Sequence, residues 1–151
     1  KMKELAGEAA EGLLCSQAGI PAEAADRQFL DGYKKKFNIE PILYSPFTYD
    51  ATKMLAAAMQ QANSADPAKY LSVLSSMQYR GATGAIAFDA KGDRKDAEMT
   101  IFTMKAGRIT PIAVIKGGQT QTFEAFKAAG AAAPVIAPAA GAQSTQGTDK
   151  K

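Results

Sequence analysis

Apolar residues recur every four positions across residues 24–37, and this spacing predicts an amphipathic helix. The apolar stripe consists of Ala25, Phe29, Tyr33 and Phe37. Asp26 near the beginning and the lysines at 34–36 near the end have the signs that the helix dipole favours. Asn38 is expected to end the helix in a left-handed conformation.

Two further helices are predicted after the first one. Thr48 is a suitable cap for a helix over residues 49–62, and Asp66 is a suitable cap for a helix that starts at the following proline. Because the break between them is short, we expect an antiparallel pair of helices packed on one face of a sheet. Residues 42–47 are expected to be extended, since Pro46 disfavours helical geometry at the residue before it.

Short apolar runs near both ends of this region predict strands. Residues 12–16 are expected to form a buried strand in which Cys15 is a small apolar residue. The alternating pattern of residues 99–104 and the apolar run at 109–115 together predict a β-hairpin. Pro111 indicates that the second strand of this hairpin lies at a sheet edge.

Residues 79–94 lie where the pattern changes from helix to strand. Gly81 and Gly84 are expected to set a turn, after which a short strand and a polar turn follow. A phosphate loop would need a lysine after its glycines, and a calcium loop would need acids at alternate positions. The acids of this stretch, which lack that alternation, are Asp89, Asp93, Asp96 and Glu98. We therefore interpret the stretch as a structural crossover, and we expect no metal and no cofactor.

The composition of the chain mainly argues against several classes of function. The chain has 151 residues, of which 46 % are hydrophobic, and this is enough for one modest core. Its 18 basic and 15 acidic residues give a net charge of +3 without a concentrated basic stripe, so nucleic-acid binding gets little support. There is no histidine, which removes the commonest general base and metal ligand. The sequence contains no run of about 18 apolar residues, so no membrane span is predicted. It also contains no recognised catalytic motif, so no enzyme is predicted.

The last part of the chain differs in composition from the rest. Residues 117–151 contain ten alanines and five glycines, and such low complexity predicts disorder or loose attachment, with a transient helix over residues 121–129. The predicted organisation is a folded region at 1–116 and a tail at 117–151. Because no initiator methionine stands at position 1, we also expect the remainder of the same polypeptide to precede this segment.

Tyr44, Phe47 and Tyr49 form the best candidate binding site in the sequence. They lie where a loop enters a predicted helix, with the hydroxyls of Ser45 and Thr48 beside them. Core packing is the favoured interpretation of Phe47 and Tyr49.

Four sequence blocks, in the same order, resemble the C-terminal part of the branched-chain amino-acid (leucine/isoleucine/valine) binding proteins of ABC transporters. The blocks are LAGEAAEGLL at residues 5–14, FLDGYK at 29–34, YDATKMLAAA at 49–58 and GATGAIAFDAKGDRK at 81–95. The last block is the most specific of the four, and the match covers residues 1–116.

This resemblance implies an α/β fold, namely the C-terminal part of a two-lobed type I periplasmic-binding-protein fold with helices packed on a sheet and a terminal β-hairpin. In this family the ligand lies between two hinged lobes, and permease subunits recognise the closed form. The implied function is non-enzymatic capture of an amino acid, branched-chain or related, in the periplasm for an ABC importer. Tyr44 stands at the position that contacts the ligand side chain in the family.

Two other functions stay open on the sequence alone. The same fold serves in ligand-sensing regulatory or receptor domains, where closure produces a signal and delivers no solute. A hydrolase would have only carboxylates such as Asp89 and Asp93 to offer. The identity of the ligand is also left open, because most of the expected cleft lies outside this segment.

Overall fold

The computed structural model describes residues 2–131 as helices and strands joined by short loops. The α-helices are α1 (Met2–Ala6), α2 (Arg27–Phe37), α3 (Ser45–Gln61), α4 (Pro67–Ser76) and α5 (Phe123–Ala131), with 3-10 helices at Gly7–Ala10 and Ala22–Ala24. The strands are β1 (Leu14–Ala18), β2 (Tyr79–Gly81), β3 (Gly84–Ile86), β4 (Met99–Lys105), β5 (Arg108–Lys116) and β6 (Gln119–Thr122). This mixture confirms the predicted α/β class. No helix within residues 2–131 has the length and apolar character that a membrane crossing requires.

The larger sheet contains four antiparallel strands in the order β1-β4-β5-β6. The predicted hairpin of β4 and β5 is confirmed, and burial alternates along β4 with Thr100 on the buried face and Met99 exposed. The most buried side chains of this sheet are Thr100, Phe102, Met104 and Val114. Helix α5 contacts β5 and β6. We call this sheet and α5 the sheet part of the molecule.

Pro111 was expected to mark an edge strand, and this expectation is wrong because β5 lies between β4 and β6. The register between β4 and β5 shifts at Ile101 and Phe102, opposite the proline. Strand β6 pairs with β5 only from Ala113 onward. Pro111 therefore stands at a bulge and outside the β5–β6 ladder, and sheets tolerate proline at such positions.

Strand β1 differs from its prediction in position and in burial. It occupies Leu14–Ala18 at the edge of the described sheet, whereas residues 12–16 were expected to be buried. Leu14 is 65 % exposed, and Cys15 is an exposed free thiol. Strand β1 is an edge strand with one neighbouring strand, β4, and Leu14 and Cys15 stay exposed within the described residues.

Helices α2 and α4 follow the sequence signals closely. Asp26 accepts hydrogen bonds from the backbone N–H groups of Gln28 and Phe29 and so caps α2, which begins three residues later than predicted. Asn38 ends α2 with a left-handed φ of 56°, as expected. Asp66 caps α4 by accepting from the N–H of Ala68.

Helix α3 begins earlier than predicted. The sequence was expected to stay extended until Thr48, but helical geometry begins at Ser45. Pro46 lies in the first turn, where a backbone N–H would have no acceptor within the helix, so the N–H that proline lacks is not missed. The hydroxyl of Ser45 accepts from the N–H of Ile42. The proline therefore starts this helix instead of delaying it. Tyr44 immediately precedes the helix.

Residues 79–86 form a small hairpin of β2 and β3 where a turn and a single strand were expected. Its two loop residues, Ala82 and Thr83, are both buried. Ala82 packs with Ala25 and Phe29 in a cluster that joins the hairpin to α2. Helices α2–α4 and this hairpin are the helical part of the molecule.

The polar turn after the hairpin has the structure that the sequence predicts. The carboxylate of Asp89 accepts from the N–H groups of Lys91 and Asp93. Among residues 2–131, no group of three or more His, Cys, Asp or Glu side chains is arranged to hold a metal ion.

The predicted tail begins with ordered structure. Strand β6 pairs with β5, and the hydroxyl of Thr122 accepts from the N–H of Ala125 in the first turn of α5. Phe123 and Phe126 are half-buried. Residues 119–131 thus differ from the expected disordered tail, and residues 132–151 of that tail lie outside the described residues.

Candidate functional site

Tyr44 lies beside an open groove between α2 and α3. Its side chain is 66 % exposed, although it directly precedes a helix whose other face is buried. The groove has a volume of about 530 Å³. Its lining consists of Tyr33, Ile42, Tyr44, Ser45, Thr48, Tyr49, Thr52 and Lys53. We call this feature the Tyr44 groove.

Tyr49 both lines the Tyr44 groove and packs on the helical core. Its ring centroid lies 5.1 Å from that of Phe29, and its side chain is 46 % exposed. The ammonium of Lys53 lies 6.0 Å from the centroid of the Tyr49 ring. One face of this ring therefore stabilises the contact between α2 and α3, and the rest of the ring is available to a ligand.

Phe47 is not among the side chains that line the groove. Its ring lies against Gly19, so closely that a Cβ at position 19 would collide with it. Gly19 also has a φ of +86°, a conformation that other residues rarely adopt. The structure thus brings Tyr44 and Tyr49 together in one groove and places Phe47 at the junction of α3 with the end of β1.

The groove suits an apolar group better than a charged one. Aromatic rings and Ile42 supply most of its lining, while Ser45, Thr48 and Thr52 contribute hydroxyls. Lys53 is the single charged residue of the lining, which contains no carboxylate. An amino acid bound here would need a partner for its ammonium group from elsewhere.

Asp50 is a functional candidate that the sequence reasoning missed. Its side chain is 1 % exposed, and its carboxylate accepts from the N–H of Ala82 at 2.7 Å, the N–H of Thr83 at 2.8 Å and the Thr83 hydroxyl at 2.7 Å. These bonds satisfy a carboxylate that would otherwise be costly to bury. A signal was present in the sequence, because the buried face of α3 repeats every four residues through Pro46, Asp50, Met54 and Ala58.

The phenol of Tyr79 lies close to this buried carboxylate. Burial raises the pKa of Tyr79, and the charges of Asp50 and Tyr49 act in the same direction. Tyr79 therefore stays neutral over a wider pH range than a tyrosine in water.

Glu98 is a second buried carboxylate, with a side chain that is 3 % exposed. Arg94 Nη2 lies 3.2 Å from one of its oxygens, and Lys116 Nζ donates to the other at 2.8 Å. From its place in the sequence, Glu98 was a candidate only for a calcium loop, and that loop was not expected. The structure instead gives it two cationic partners, Arg94 in residues 87–98, which we call the crossover from here on, and Lys116 at the end of β5.

A sequence profile described as "Periplasmic binding protein" matches residues 1–108 of the chain. Over 99 residues the chain is 27 % identical to the leucine-, isoleucine-, valine-, threonine- and alanine-binding protein of Pseudomonas aeruginosa, a match that covers 65 % of the chain and 26 % of that relative. Over 106 residues it is 30 % identical to the Leu/Ile/Val-binding protein of Citrobacter freundii, with 70 % of the chain and 28 % of the relative covered. The matches thus span about a quarter of the length of these relatives.

Solved structures agree with these relatives. A leucine binding protein from Thermotoga maritima matches 77 % of the chain with a TM-score of 0.63 and 31 % identity, over 34 % of its own length. An ABC transporter substrate-binding protein from Desulfitobacterium hafniense, in complex with Leu, matches 68 % of the chain with a TM-score of 0.58 and 27 % identity, over 32 % of its length. These structures confirm the fold class that the sequence predicts.

Proposed function

Because the chain belongs to the periplasmic binding protein family, we propose that it forms the C-terminal part of the solute-binding component of an ABC importer. The complete protein would capture an amino acid between two hinged lobes outside the cytoplasm and deliver it to permease subunits. One observation carries this proposal, namely the similarity of most of the chain to proteins that are named for binding leucine, isoleucine and valine. The relatives are binding proteins, and we propose no catalytic role.

The Tyr44 groove supports an apolar amino-acid side chain as the part of the ligand that this segment contacts. Tyr44 is exposed at the start of α3, and Tyr49 presents part of its ring to the same space. Burial of an aliphatic side chain against these rings would stabilise the complex through the hydrophobic effect. Groups that bind the ammonium and carboxylate would come from the preceding part of the polypeptide.

The mechanism that we propose is a shift in a hinge equilibrium. A ligand that makes contacts with both lobes binds the closed form better than the open form, and so it increases the closed population. In this segment the chain passes between the sheet part and the helical part twice, near Gly19 and along residues 87–98. These two passages would bend when the lobes close.

Calorimetric titration of the complete protein, after any retained ligand has been removed by unfolding and refolding, tests this function. Leucine, isoleucine, valine, threonine and alanine should be titrated separately, with lysine and glutamate as charged controls. We expect saturable binding of at least one aliphatic amino acid and much weaker binding of the charged ones. A refolded protein that binds none of the aliphatic amino acids would refute the proposal.

A further inference from the structure

Polar side chains between the two parts of the molecule, most of them at least partly buried, form a continuous series of hydrogen bonds and ion pairs. It consists of Asp50, Thr83, Arg94, Glu98 and Lys116, and we call it the hinge network. We propose that the hinge network positions the helical part relative to the sheet part, and thereby sets how readily the lobes close. This inference rests on the proposed function for its link to ligand binding, but not for its effect on the ligand-free molecule.

The first link of the network joins helix α3 to the β2–β3 hairpin. The Asp50 carboxylate binds both backbone N–H groups of the two-residue loop and the hydroxyl of Thr83. Gly81 lies so close to this carboxylate that a Cβ there would collide with it. Because three bonds and a steric contact meet at one carboxylate, α3 and the hairpin are held as one unit.

The second link joins the hairpin to the crossover. Arg94 Nη2 donates to the carbonyl of Thr83 at 3.3 Å and to the carbonyl of Ala85 at 3.2 Å. Thr83 is thus held by Asp50 through its N–H and hydroxyl and by Arg94 through its carbonyl. The guanidinium is only 19 % exposed, so these interactions are partly shielded from water.

The third link joins the crossover to the sheet part. Glu98 directly precedes β4, and its carboxylate pairs with Arg94 on one side and with Lys116 at the end of β5 on the other. Its backbone carbonyl accepts from the N–H of Gly19 at 2.7 Å, and the Thr100 hydroxyl donates to the Gly19 carbonyl at 2.7 Å. Both chain passages between the two parts therefore meet at Glu98.

Arg94 is the residue on which the network depends because, among the five residues of the network, it alone contacts both the hairpin and the Glu98 carboxylate. Without its side chain, Glu98 would keep one cationic partner and the hairpin would lose its bonds to the crossover. We therefore expect Arg94→Ala to loosen the relative position of the two parts while the core of each part stays intact. Arg94 is in this sense a positioning residue, since it does not line the Tyr44 groove.

The test measures the distance between the two parts directly. In the complete protein with Cys15→Ser, spin labels at Lys69→Cys on α4 and Lys105→Cys at the end of β4 report this distance by pulsed electron paramagnetic resonance. We expect the ligand-free distance distribution to be broader in Arg94→Ala than in the parent protein. Binding of the best amino acid is expected to weaken by roughly two- to thirtyfold, because closure must then order a hinge that was previously held.

Two further variants make the outcome decisive. Arg94→Gln keeps a donor for the carbonyls but removes the charge that pairs with Glu98. It should also broaden the distance distribution, and it takes the place of Arg94→Ala if that variant does not fold. Lys95→Ala removes one positive charge from the exposed residue that follows Arg94, and it should leave the distance distribution unchanged. An unchanged distribution in the folded Arg94 variants, or an equal change in Lys95→Ala, would overturn the inference. If the parent protein binds no amino acid, the proposed function fails, yet the ligand-free distances still test the hinge network.

Discussion

Asp50 shows how one residue can decide the position of a helix. It occupies a position of the buried stripe of α3 at which a sequence pattern leads one to expect an apolar side chain. On folding, its carboxylate exchanges hydrogen bonds with water for hydrogen bonds with three donors of a loop more than thirty residues away in the chain. Burial of this charge is therefore compensated only as long as the hairpin loop stays in place.

We expect Asp50→Ala to lower the free energy of unfolding of the complete protein by roughly 2–5 kcal/mol, because two buried N–H groups and a hydroxyl lose their acceptor. Urea denaturation followed by circular dichroism measures this loss. Asp31→Ala is a matched control, since the Asp31 side chain is 69 % exposed and its removal should change stability by about 0.5 kcal/mol or less. Equal losses in the two variants would contradict the role of Asp50.

Tyr44 and Phe47 are three residues apart but should respond to substitution in opposite ways. Tyr44→Ala removes an exposed ring and should weaken amino-acid binding by roughly ten- to hundredfold with nearly the same melting temperature. Phe47→Ala removes the ring that lies against Gly19 and should lower the melting temperature more than Tyr44→Ala does. Calorimetry and thermal unfolding of both variants separate these effects. Unchanged affinity together with unchanged melting would remove Tyr44 from the site.

Tyr79 predicts a pH dependence whose sign follows from its raised pKa. Because burial raises the pKa of Tyr79 in the folded state above its unfolded value of about 10, the folded state retains the proton longer. The resulting stabilisation is fully present below about pH 10 and is lost as the pH rises through the folded pKa. The stability of the parent protein should therefore fall more steeply above pH 10 than that of Tyr79→Phe. Parallel pH profiles in urea denaturation would contradict this assignment.

Sequence reasoning succeeded at single residues where the signal was local. The caps Asp26 and Asp66, the left-handed Asn38 and the turn made by Asp89 all depend on bonds between near neighbours in the chain. Asp50 and Glu98 find their partners through tertiary packing, so spacing alone could mark them as unusual but could not name those partners. Tyr44 was selected for its place before a predicted helix and for its position in the family resemblance; its ring is exposed, while its contact with a ligand stays a prediction.

At the scale of elements, the errors have identifiable causes. Pro46 was taken to keep the chain extended, but a proline in a first helical turn has the opposite effect. Pro111 was taken to indicate an edge, but a bulge and a short partner strand accommodate it inside the sheet. In both cases the local rule allowed two outcomes, and the neighbouring elements selected one.

Strand β6 and helix α5 lead to a prediction about truncation. Truncation after Gly118 removes the strand that pairs with β5 and the helix that packs on it, so the melting temperature should fall by several degrees. Truncation after Ala131 keeps both elements and is the control. If the two truncated proteins melt at the same temperature, β6 and α5 do not stabilise the sheet.

At the scale of the whole molecule, the described surface suits a segment of a larger protein. Leu13, Leu14 and Ile109 expose much of their side chains on or near the sheet part, and the curated relatives are about four times as long as the regions matched. Large exposed apolar side chains can mark surfaces that contact other protein. The sequence predicted the fold of this segment well because the family resemblance was available. It could not predict the exposure of β1, since the burial of a strand depends on what packs against the faces of its sheet.

We expect the isolated 151-residue chain to bind amino acids far more weakly than the complete protein, because one wall cannot enclose a ligand. It should also increase the fluorescence of a hydrophobic dye such as 1-anilinonaphthalene-8-sulfonate, which the complete protein should do much less. Calorimetry and dye titration of the two proteins at equal concentration measure these differences. Equal affinity for the best ligand would show that this segment contains the whole site.

The contact between Asp50 and Gly81 has a consequence for how the sequence can evolve. Gly81 does not have a left-handed backbone, and the space that a Cβ would occupy there is filled by the Asp50 carboxylate. A side chain at position 81 therefore fits only if position 50 carries a smaller residue. The donors of the hairpin loop would then need another acceptor. We expect the two positions to covary among homologues, with acid at one accompanying glycine at the other.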